Sequence, residues 1–451
     1  MTHSRREFLS RGAAAGAGVA VAGNLAGLFS AAPAVAASRV GRLGPLIADP
    51  AGLLDLPEGF SYSIISQAGD QLPDGGVLPD AFDGTAAYFD GRTTRLVRHH
   101  EQDTGEEMPA LAPTEFTYDP AAGGGTSTVV LDRRNQRLDE YVSLAGTNTN
   151  CAGGPTPWET WLTCEETEDR AGDSAGHTKD HGFVFEVDPR DPLRNMNPTP
   201  LTALGRFAHE AAAIDPRSGT VYLTEDASNP NGLLYRLLPN RPRGGHGSLR
   251  AGGTLEALRC TDGGTFVPDL SAYSEPRTIL TTGWVAVPDP LATSTSTRRQ
   301  LSEVTRSRKY EGAWWGTNAA YIACSFARTS DGSVGQHDGQ VWRLDPRRET
   351  LTLEVHFGLN PDPSSDLPDG PDNITVSPWG GLFLAEDGQG VQHLQAVTRF
   401  GETVPFARNA RDDGEFTGVC FSADPRTLYA NLQRPGVTFA ITGPFSRTVL
   451  G

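Results

Sequence analysis

The sequence predicts an all-β protein, a six-bladed β-propeller. Three observations carry this. A short extended motif, two or three apolar residues ending in carboxylates or amides, recurs six times. The copies are spaced roughly 45 to 65 residues apart with one longer interval, the spacing of propeller-blade repeats. The strand-like runs around them are separated by Gly- and Pro-rich turns, as sequential antiparallel strands require. A closed ring of blades also hides the sheet edges that an open all-β chain of this length would expose. A decorated β-sandwich is the main competing architecture.

The chain opens with an export signal. Ser4-Arg5-Arg6-Glu7-Phe8-Leu9 is a twin-arginine pattern, a weakly hydrophobic Ala/Gly stretch follows from Gly12 to Phe29, and Ala34-Val35-Ala36 offers a cleavage site. Residues 1–37 are therefore read as a twin-arginine signal peptide and 38–451 as a single propeller catalytic domain. The twin-arginine translocase carries folded proteins, so a metal centre assembled before export is compatible with this address, and the mature chain belongs in the periplasm or outside the cell. The stretch from Ser38 to Ile64 is expected to pack as a strap or closing strand.

The recurring motif is read at Arg95–Glu101, Trp161–Glu166, Val221–Asp226, Tyr321–Phe326, Leu382–Asp387 and Leu428–Gln433. One repeat displays its strands well. Ala211–Asp215 is extended, Pro216-Arg217-Ser218-Gly219 is a tight turn, Thr220–Asp226 is the next strand and Leu233–Leu238 a third. The third strand returns at Phe183–Asp188 and Val341–Asp345, each ending at or beside a proline that stops it. The long interval, 241–308, carries the low-complexity run from Ala292 to Arg299, expected to be an exposed loop.

Composition narrows the function. A formal charge of −17 argues against nucleic-acid binding, and no apolar run past the N-terminus is long enough for stable membrane insertion. A monomer is expected. HExxH, GxSxG, Walker and dinucleotide-binding patterns are all missing. Five cysteines are an odd number, so at least one is a free thiol in a monomer. Cys324 and Cys420 lie in apolar strand-like runs and read as core, and Cys260 lies in a polar turn region. Cys151 and Cys164 are close enough in sequence for a disulfide to be one alternative.

The stretch Asn150–Glu166 concentrates the chemistry. Its glycines and prolines make a turn, and an aromatic, β-branched strand then delivers Cys164, Glu165 and Glu166 together. Adjacent carboxylates repel, and burying them without a cation costs several kcal/mol each, as a rough estimate. Further acidic candidates at strand starts and ends are Glu101, Glu210, Glu311, Asp372, Asp387 and Glu415. Propeller geometry brings equivalent positions to one axis, so these residues are candidate metal ligands. Oxygen donors alone suit calcium; a thiolate among them suits a transition metal such as iron. His100 and His209 each precede a glutamate, which permits ligation or support of a ligand. Lys309 and Arg328 are candidate anion binders.

These motifs resemble the PhoX-type alkaline phosphatases. The likeness rests on the twin-arginine signal, NCAGG-TPW-TWLTCEE, the His-Glu and Pro-Asp-Asn elements, Glu415-Phe416-Thr417-Gly418 and Leu432–Gly436, and runs from Leu53 to Phe445. It implies a six-bladed propeller whose axial site holds two ferric ions and three calcium ions, and hydrolysis of small phosphate monoesters. It assigns Cys164 as the thiolate on iron, and Glu210, Glu311, Asp372 and Glu415 as metal ligands, joined by Asp387 and Glu101. Larger members carry Arg-Pro-Glu where this chain has Lys309-Tyr310-Glu311, and Asn-His-Glu where it has His99-His100-Glu101. Lys309 and His99 are thus the expected phosphate-holding, catalytic pair, with a point charge replacing a bidentate guanidinium. The alternatives are a calcium-dependent propeller lactonase or esterase, for which a thiol is dispensable, and a non-catalytic binding protein stabilised by calcium.

Overall fold

Every pairing between successive strands is antiparallel, the outcome expected of short β-branched runs closed by tight turns. The computed structural model describes residues 43–242 and 244–446. The signal-peptide reading of 1–37 lies outside the described residues.

Six strands begin the repeats: Phe82–Phe89, Asn150–Pro155, His209–Ile214, Tyr310–Trp315, Pro371–Val376 and Phe416–Phe421. Each packs against the next in chain order, and the last packs against the first, so the inner strands close a ring. Outward from each runs a second strand: Thr94–His100, Trp161–Glu165, Val221–Glu225, Ala320–Cys324, Leu382–Glu386 and Thr427–Leu432. These second strands are the six recurring segments of the sequence, in equivalent places. The third strands read from sequence also recur in place, at Val184–Val187, Gly232–Pro239 and Gly339–Asp345.

The arrangement is all-β and propeller-like, in five sheets among the described residues. The third and fourth repeats merge into one eleven-stranded sheet, because Gly253–Asp262 and Ile279–Ala286 bridge from Gly232–Pro239 to Thr350–Phe357. The second sheet stops at three strands. The N-terminal strap closes the last sheet: Ser61–Gln67 pairs with Val437–Thr442, while Leu54–Pro57 extends the preceding sheet along Thr403–Asn409. Joining the first described strands to the last ones protects edges that would otherwise be open.

The core lies between neighbouring sheets. Trp314, on the fourth inner strand, packs against three separate apolar clusters. Two expectations need correction. Cys260 is not in a polar turn; it is buried in Gly253–Asp262 against Leu258 and Leu280. The low-complexity run is exposed only in part: Thr293, Ser294, Thr295 and Arg299 face solvent, but the rest does not. Thr297 is buried against the Tyr235 hydroxyl at 2.8 Å, and Arg298 reaches Glu168 and Glu225. Small polar residues fit there because the run folds back over a carboxylate that needs a cation.

One irregularity repeats in all six inner strands. The register breaks between Phe82 and Thr85, Asn150 and Gly153, His209 and Ala212, Tyr310 and Ala313, Pro371 and Ile374, and Thr417 and Cys420. Such a bulge sets two residues against one and re-aims the side chains. The second bulged residues, Gly84, Ala152, Ala211, Gly312, Asn373 and Val419, line a narrow axial cavity together with Gly418, the first bulged residue of the last strand. The ring is tight there: a Cβ on Gly312 would lie 2.6 Å from the Asp372 carbonyl oxygen and 2.9 Å from the Asn373 Cα.

Candidate metal centre

The bulges decide which side chains meet. The first bulged residue of five inner strands is Asp83, Cys151, Glu210, Glu311 or Asp372. The residues just beyond the second strands, Glu101, Glu166, Asp226 and Asp387, join them at the same end of the ring, and Glu415 enters just before the sixth inner strand. Three overlapping groups result: Cys151 with Glu166 and Glu210; Glu210 with Glu311 and Asp372; Asp372 with Asp387 and Glu415. Within each group the candidate ligand atoms all lie within 4.8 Å of one another. Shared members make the groups one continuous row. Asp83 and Glu101 extend it, both bonded by the Gln433 amide, at 3.3 and 2.6 Å.

Neighbouring polar groups set the orientations. Ser325 donates to Glu311 Oε1 at 2.8 Å, and Asn373 donates to Asp372 Oδ1 at 3.0 Å. The Cys151 thiol donates toward the His209 and Glu210 carbonyls at 3.4 and 3.5 Å. Lys309 brings one ammonium, 2.7 Å from Asp226 and 2.9 Å from Glu311.

One ammonium does not balance this many carboxylates. Burial, then repulsion from Glu101 and Asp372, pushes the Asp83 carboxyl well above its ordinary range. Burial, then Asp387, Glu101, Asp372 and Asp83, does the same to Glu415. The Cys151 thiol is pushed up by burial and then by Glu210 and Glu166. Asp83 Oδ1 and Glu415 Oε2 are buried with no hydrogen-bond partner among the described residues. Buried carboxylate oxygens without donors, in a row with a thiol, form a donor set that fits multivalent cations. The oxygen-rich end around Asp372, Asp387 and Glu415 suits a hard ion such as calcium; the end with Cys151 suits a softer one such as iron.

Of the residues named from sequence, Glu210, Glu311, Asp372, Asp387 and Glu415 are brought together, and Glu101 lies beside them. Cys164 is not. It sits mid-sheet on Trp161–Glu165, paired with Val184, and packs in an apolar cluster with Leu162, Leu204 and Phe207. Burial pushes its thiol up, and all five cysteines are free, so the Cys151–Cys164 disulfide does not form. The thiol of the cluster is Cys151. The Cys-Glu-Glu triplet divides the same way: Glu165 points into the protein and Glu166 toward the cluster. Glu165 accepts four hydrogen bonds, from the Asn148, Gly182 and Phe183 amides at 2.9 Å each and from His181 at 2.7 Å.

His99 does not face a phosphate. It is fully buried; its Nδ1 meets the Cys151 carbonyl oxygen at 2.8 Å, and Trp161 Nε1–H donates to its Nε2. An indole N–H only donates, so Nε2 must accept and Nδ1–H must donate. Both nitrogens are used, and burial pushes the imidazole down to about 3. His100 is likewise consumed, by the Asp80 carbonyl and the Ser127 hydroxyl. Arg328 is spent on the Ala327 and His337 carbonyls and on Asp338.

Cys151, Asp83 and Glu166 are the members that the sequence reading passed over. A signal for two of them exists. The bulge dipeptides Asp83-Gly84, Cys151-Ala152, Glu210-Ala211, Glu311-Gly312 and Asp372-Asn373 share one pattern, a ligand-type residue followed by a small one. Aligning the inner strands, rather than the more apolar second strands, exposes it.

A family model described as alkaline phosphatase PhoX matches residues 41–140 and 134–436. Among solved structures, Pseudomonas fluorescens PhoX in complex with vanadate, a transition state analogue, is similar at 19% identity and a TM-score of 0.69, covering 88% of this chain and 97% of that one. A gluconolactonase of Xanthomonas campestris matches at 14% identity and a TM-score of 0.37, covering 85% of this chain and 100% of that one. No curated protein sequence matches.

Proposed function

The chain belongs to the PhoX family of alkaline phosphatases, and we propose that its reaction, hydrolysis of phosphate monoesters, runs over the row of carboxylates and thiol at the end of the ring. The observation that carries this is the meeting of Cys151, Glu166, Glu210, Glu311, Asp372, Asp387 and Glu415 in three overlapping groups, each with its candidate ligand atoms within 4.8 Å of one another. In this reading Cys151, Glu166 and Glu210 hold iron, and Glu311, Asp372, Asp387 and Glu415 complete the ferric and calcium sites, with Asp83 and Glu101 at the margin. Such ions, when bound, polarise phosphate oxygens and make water a stronger nucleophile.

The chain's own residues do the rest. Lys309, buried between Asp226 and Glu311, offers a point charge to a phosphate oxygen, stabilising negative charge that develops in the transition state. It cannot give the parallel two-bond grip of a guanidinium. His99 becomes a positioning residue: its Nδ1–H fixes the carbonyl of Cys151 and so the bulge that aims the thiol. Ser325 and Asn373 hold Glu311 and Asp372 in one orientation, so little reorganisation is needed when substrate arrives.

We count the eleven-stranded sheet as two blades, which gives a six-bladed propeller; the closed ring of six inner strands supports that count. Residues 38–451 would form one catalytic domain, monomeric and exported through the twin-arginine translocase to the periplasm or beyond. No helix among the described residues is long and apolar enough to cross a membrane.

The test is elemental analysis of the purified protein, a visible spectrum and turnover of a chromogenic phosphate monoester beside a lactone panel. Iron with calcium, colour and phosphate release are expected. Calcium alone, without phosphatase activity, would overturn the reading and favour the lactonase or binding-protein alternative.

A further inference from the structure

Of the five arginines between 298 and 328, four are spent on partners. Arg298 reaches Glu168 and Glu225. Arg299 donates to the Asn229 carbonyl, and Arg306 to those of Asn231, Arg298 and Leu301. Arg328 is consumed by the Ala327 and His337 carbonyls and Asp338. Arg308 is the exception. Its side chain is 11% exposed, and its ion-pair contact among the described residues is Asp331, with Nε 3.4 Å from Oδ2. That Nε is buried with no hydrogen-bond partner, and the two terminal nitrogens donate to no described residue.

Phe326 shows where this guanidinium stands. The Arg308 Cζ lies over the Phe326 ring, 5.7 Å from its centroid, and Lys309 Nζ lies 5.9 Å from the same centroid. Consecutive side chains of an extended chain point to opposite faces. Lys309 breaks that rule with a left-handed φ of 53°, and so two successive cations meet one ring. The ring borders the axial row: Lys309 is 2.9 Å from Glu311, and Ser325, the neighbour of Phe326, donates to Glu311 at 2.8 Å. Phe326 is half-buried, so part of the ring stays open to solvent.

A guanidinium carries a full charge and five N–H donors, and one carboxylate reached without a hydrogen bond compensates it poorly when it is mostly buried. We propose that Arg308, standing over Phe326, is the leaving-group subsite, and that the preferred substrates are phosphate monoesters whose leaving group carries a second anionic group, a carboxylate or another phosphate. A guanidinium grips either one with two parallel hydrogen bonds. The carbons between the two anions pack on the Phe326 ring, while Lys309 meets the reacting phosphate. This inference rests on the phosphatase reading above and deepens it.

The experiment compares three esters with a three-carbon leaving group: propyl phosphate, 3-phosphooxypropanoate and propane-1,3-diyl bisphosphate. They are given to the full-length purified wild type, Arg308→Lys and Arg308→Gln. The quantity read is kcat/KM for each charged ester divided by that for propyl phosphate, so loss of metal or of folded protein cancels. The wild-type ratio should be about tenfold or more for at least one charged ester, as hydrogen bonds to a charged group produce. It should fall about tenfold in Arg308→Gln and less in Arg308→Lys, and the ester that shows it tells carboxylate from phosphate. Binding is read apart from turnover. By calorimetry 3-phosphonopropanoate, which cannot be hydrolysed, should bind the wild type more tightly than propylphosphonate and lose that margin in Arg308→Gln. That margin without turnover of any ester would sink the phosphatase reading and leave the subsite standing. A wild-type ratio near one, a ratio that Arg308→Gln leaves in place, or equal binding of the two phosphonates would overturn the subsite whether or not phosphate is released.

Discussion

Exchanging the two cysteines of the Asn150–Glu166 stretch one at a time tests the centre most directly. Cys151→Ser changes one atom. The shorter C–O bond draws the serine hydroxyl back from the His209 and Glu210 carbonyls that the thiol now approaches at 3.4 and 3.5 Å, so the fold loses at most about 1 kcal/mol, the worth of one ordinary hydrogen bond. What it loses is charge. A thiol gives up its proton to a metal near neutrality, whereas a hydroxyl does so far less readily. Removing a supporting partner of a ligand costs about 10- to 100-fold in metal affinity; losing the ligand itself should exceed about 100-fold, near 2.7 kcal/mol. Cys164→Ala does the reverse. It takes a sulfur from a core lined by Leu162, Leu204 and Phe207, at about 1–2 kcal/mol for the lost burial and the small cavity. Iron per chain, visible absorbance, phosphate-ester turnover and chemical unfolding are measured on both. Cys151→Ser should fold normally and lose iron, colour and activity; Cys164→Ala should keep all three and unfold earlier. The opposite pattern would refute the assignment and return the metal role to Cys164.

Three further outcomes follow from the geometry. Gly312→Ala should destabilise by about 1–3 kcal/mol, the range for overpacking, because its Cβ would meet only backbone atoms of Asp372, Asn373 and Ile374 at 2.6 to 3.0 Å; unchanged chemical unfolding would remove the tight-ring argument. Glu165→Gln should cost stability, since an amide cannot accept all four donors that Glu165 satisfies, while Glu166→Gln should fold and bind less metal; equal stability of the two variants would contradict their opposite orientations. Burial alone would lower the His181 imidazole, but Glu165 and Asp119 outweigh it and raise it above 6.5. A raised imidazole contributes stability fully below 6.5 and loses it as pH climbs through its higher folded-state value, so the stability difference between wild type and His181→Gln should shrink from pH 6 toward pH 9, and a constant difference would count against the charged pair.

The second strands were legible in the sequence because they are buried on both faces and so repeat as apolar runs with a polar end. Trp161–Glu165, Val221–Glu225 and Leu382–Glu386 all announce themselves this way, and each ends in a glutamate. That same clarity misled the reading of the site. The terminal glutamates Glu165, Glu225 and Glu386 turn inward, where they accept backbone amides of the next strand or its approach: Phe183 to Glu165, Leu233 to Glu225, His393 to Glu386. They are the staples of these three repeats, and the residue after each one, Glu166, Asp226 or Asp387, is the one turned toward the axis. Because side chains alternate along a strand, an error of one residue exchanges a staple for a ligand.

The inner strands were harder to read for a physical reason. They lie where six strands crowd one axis, so they are built from Gly, Ala and Asn, as in Cys151-Ala152-Gly153-Gly154 and Glu311-Gly312-Ala313, and they lack the hydrophobic alternation that marks a strand. A Cβ on Gly154 would lie 1.7 Å from the Ala212 carbonyl oxygen, and one on Gly153 would lie 2.0 Å from that of Leu162. Small residues are what such spacing demands, and they look like a turn when read alone. Their bulges then break strict alternation a second time, which is why Cys151 looked like part of a turn and Cys164, at the end of a clean strand, looked like the ligand. The features that hid these strands are also what the site needs: close backbones bring six repeats within reach of one another, and a bulge in each re-aims a carboxylate or thiol at the shared end of the ring.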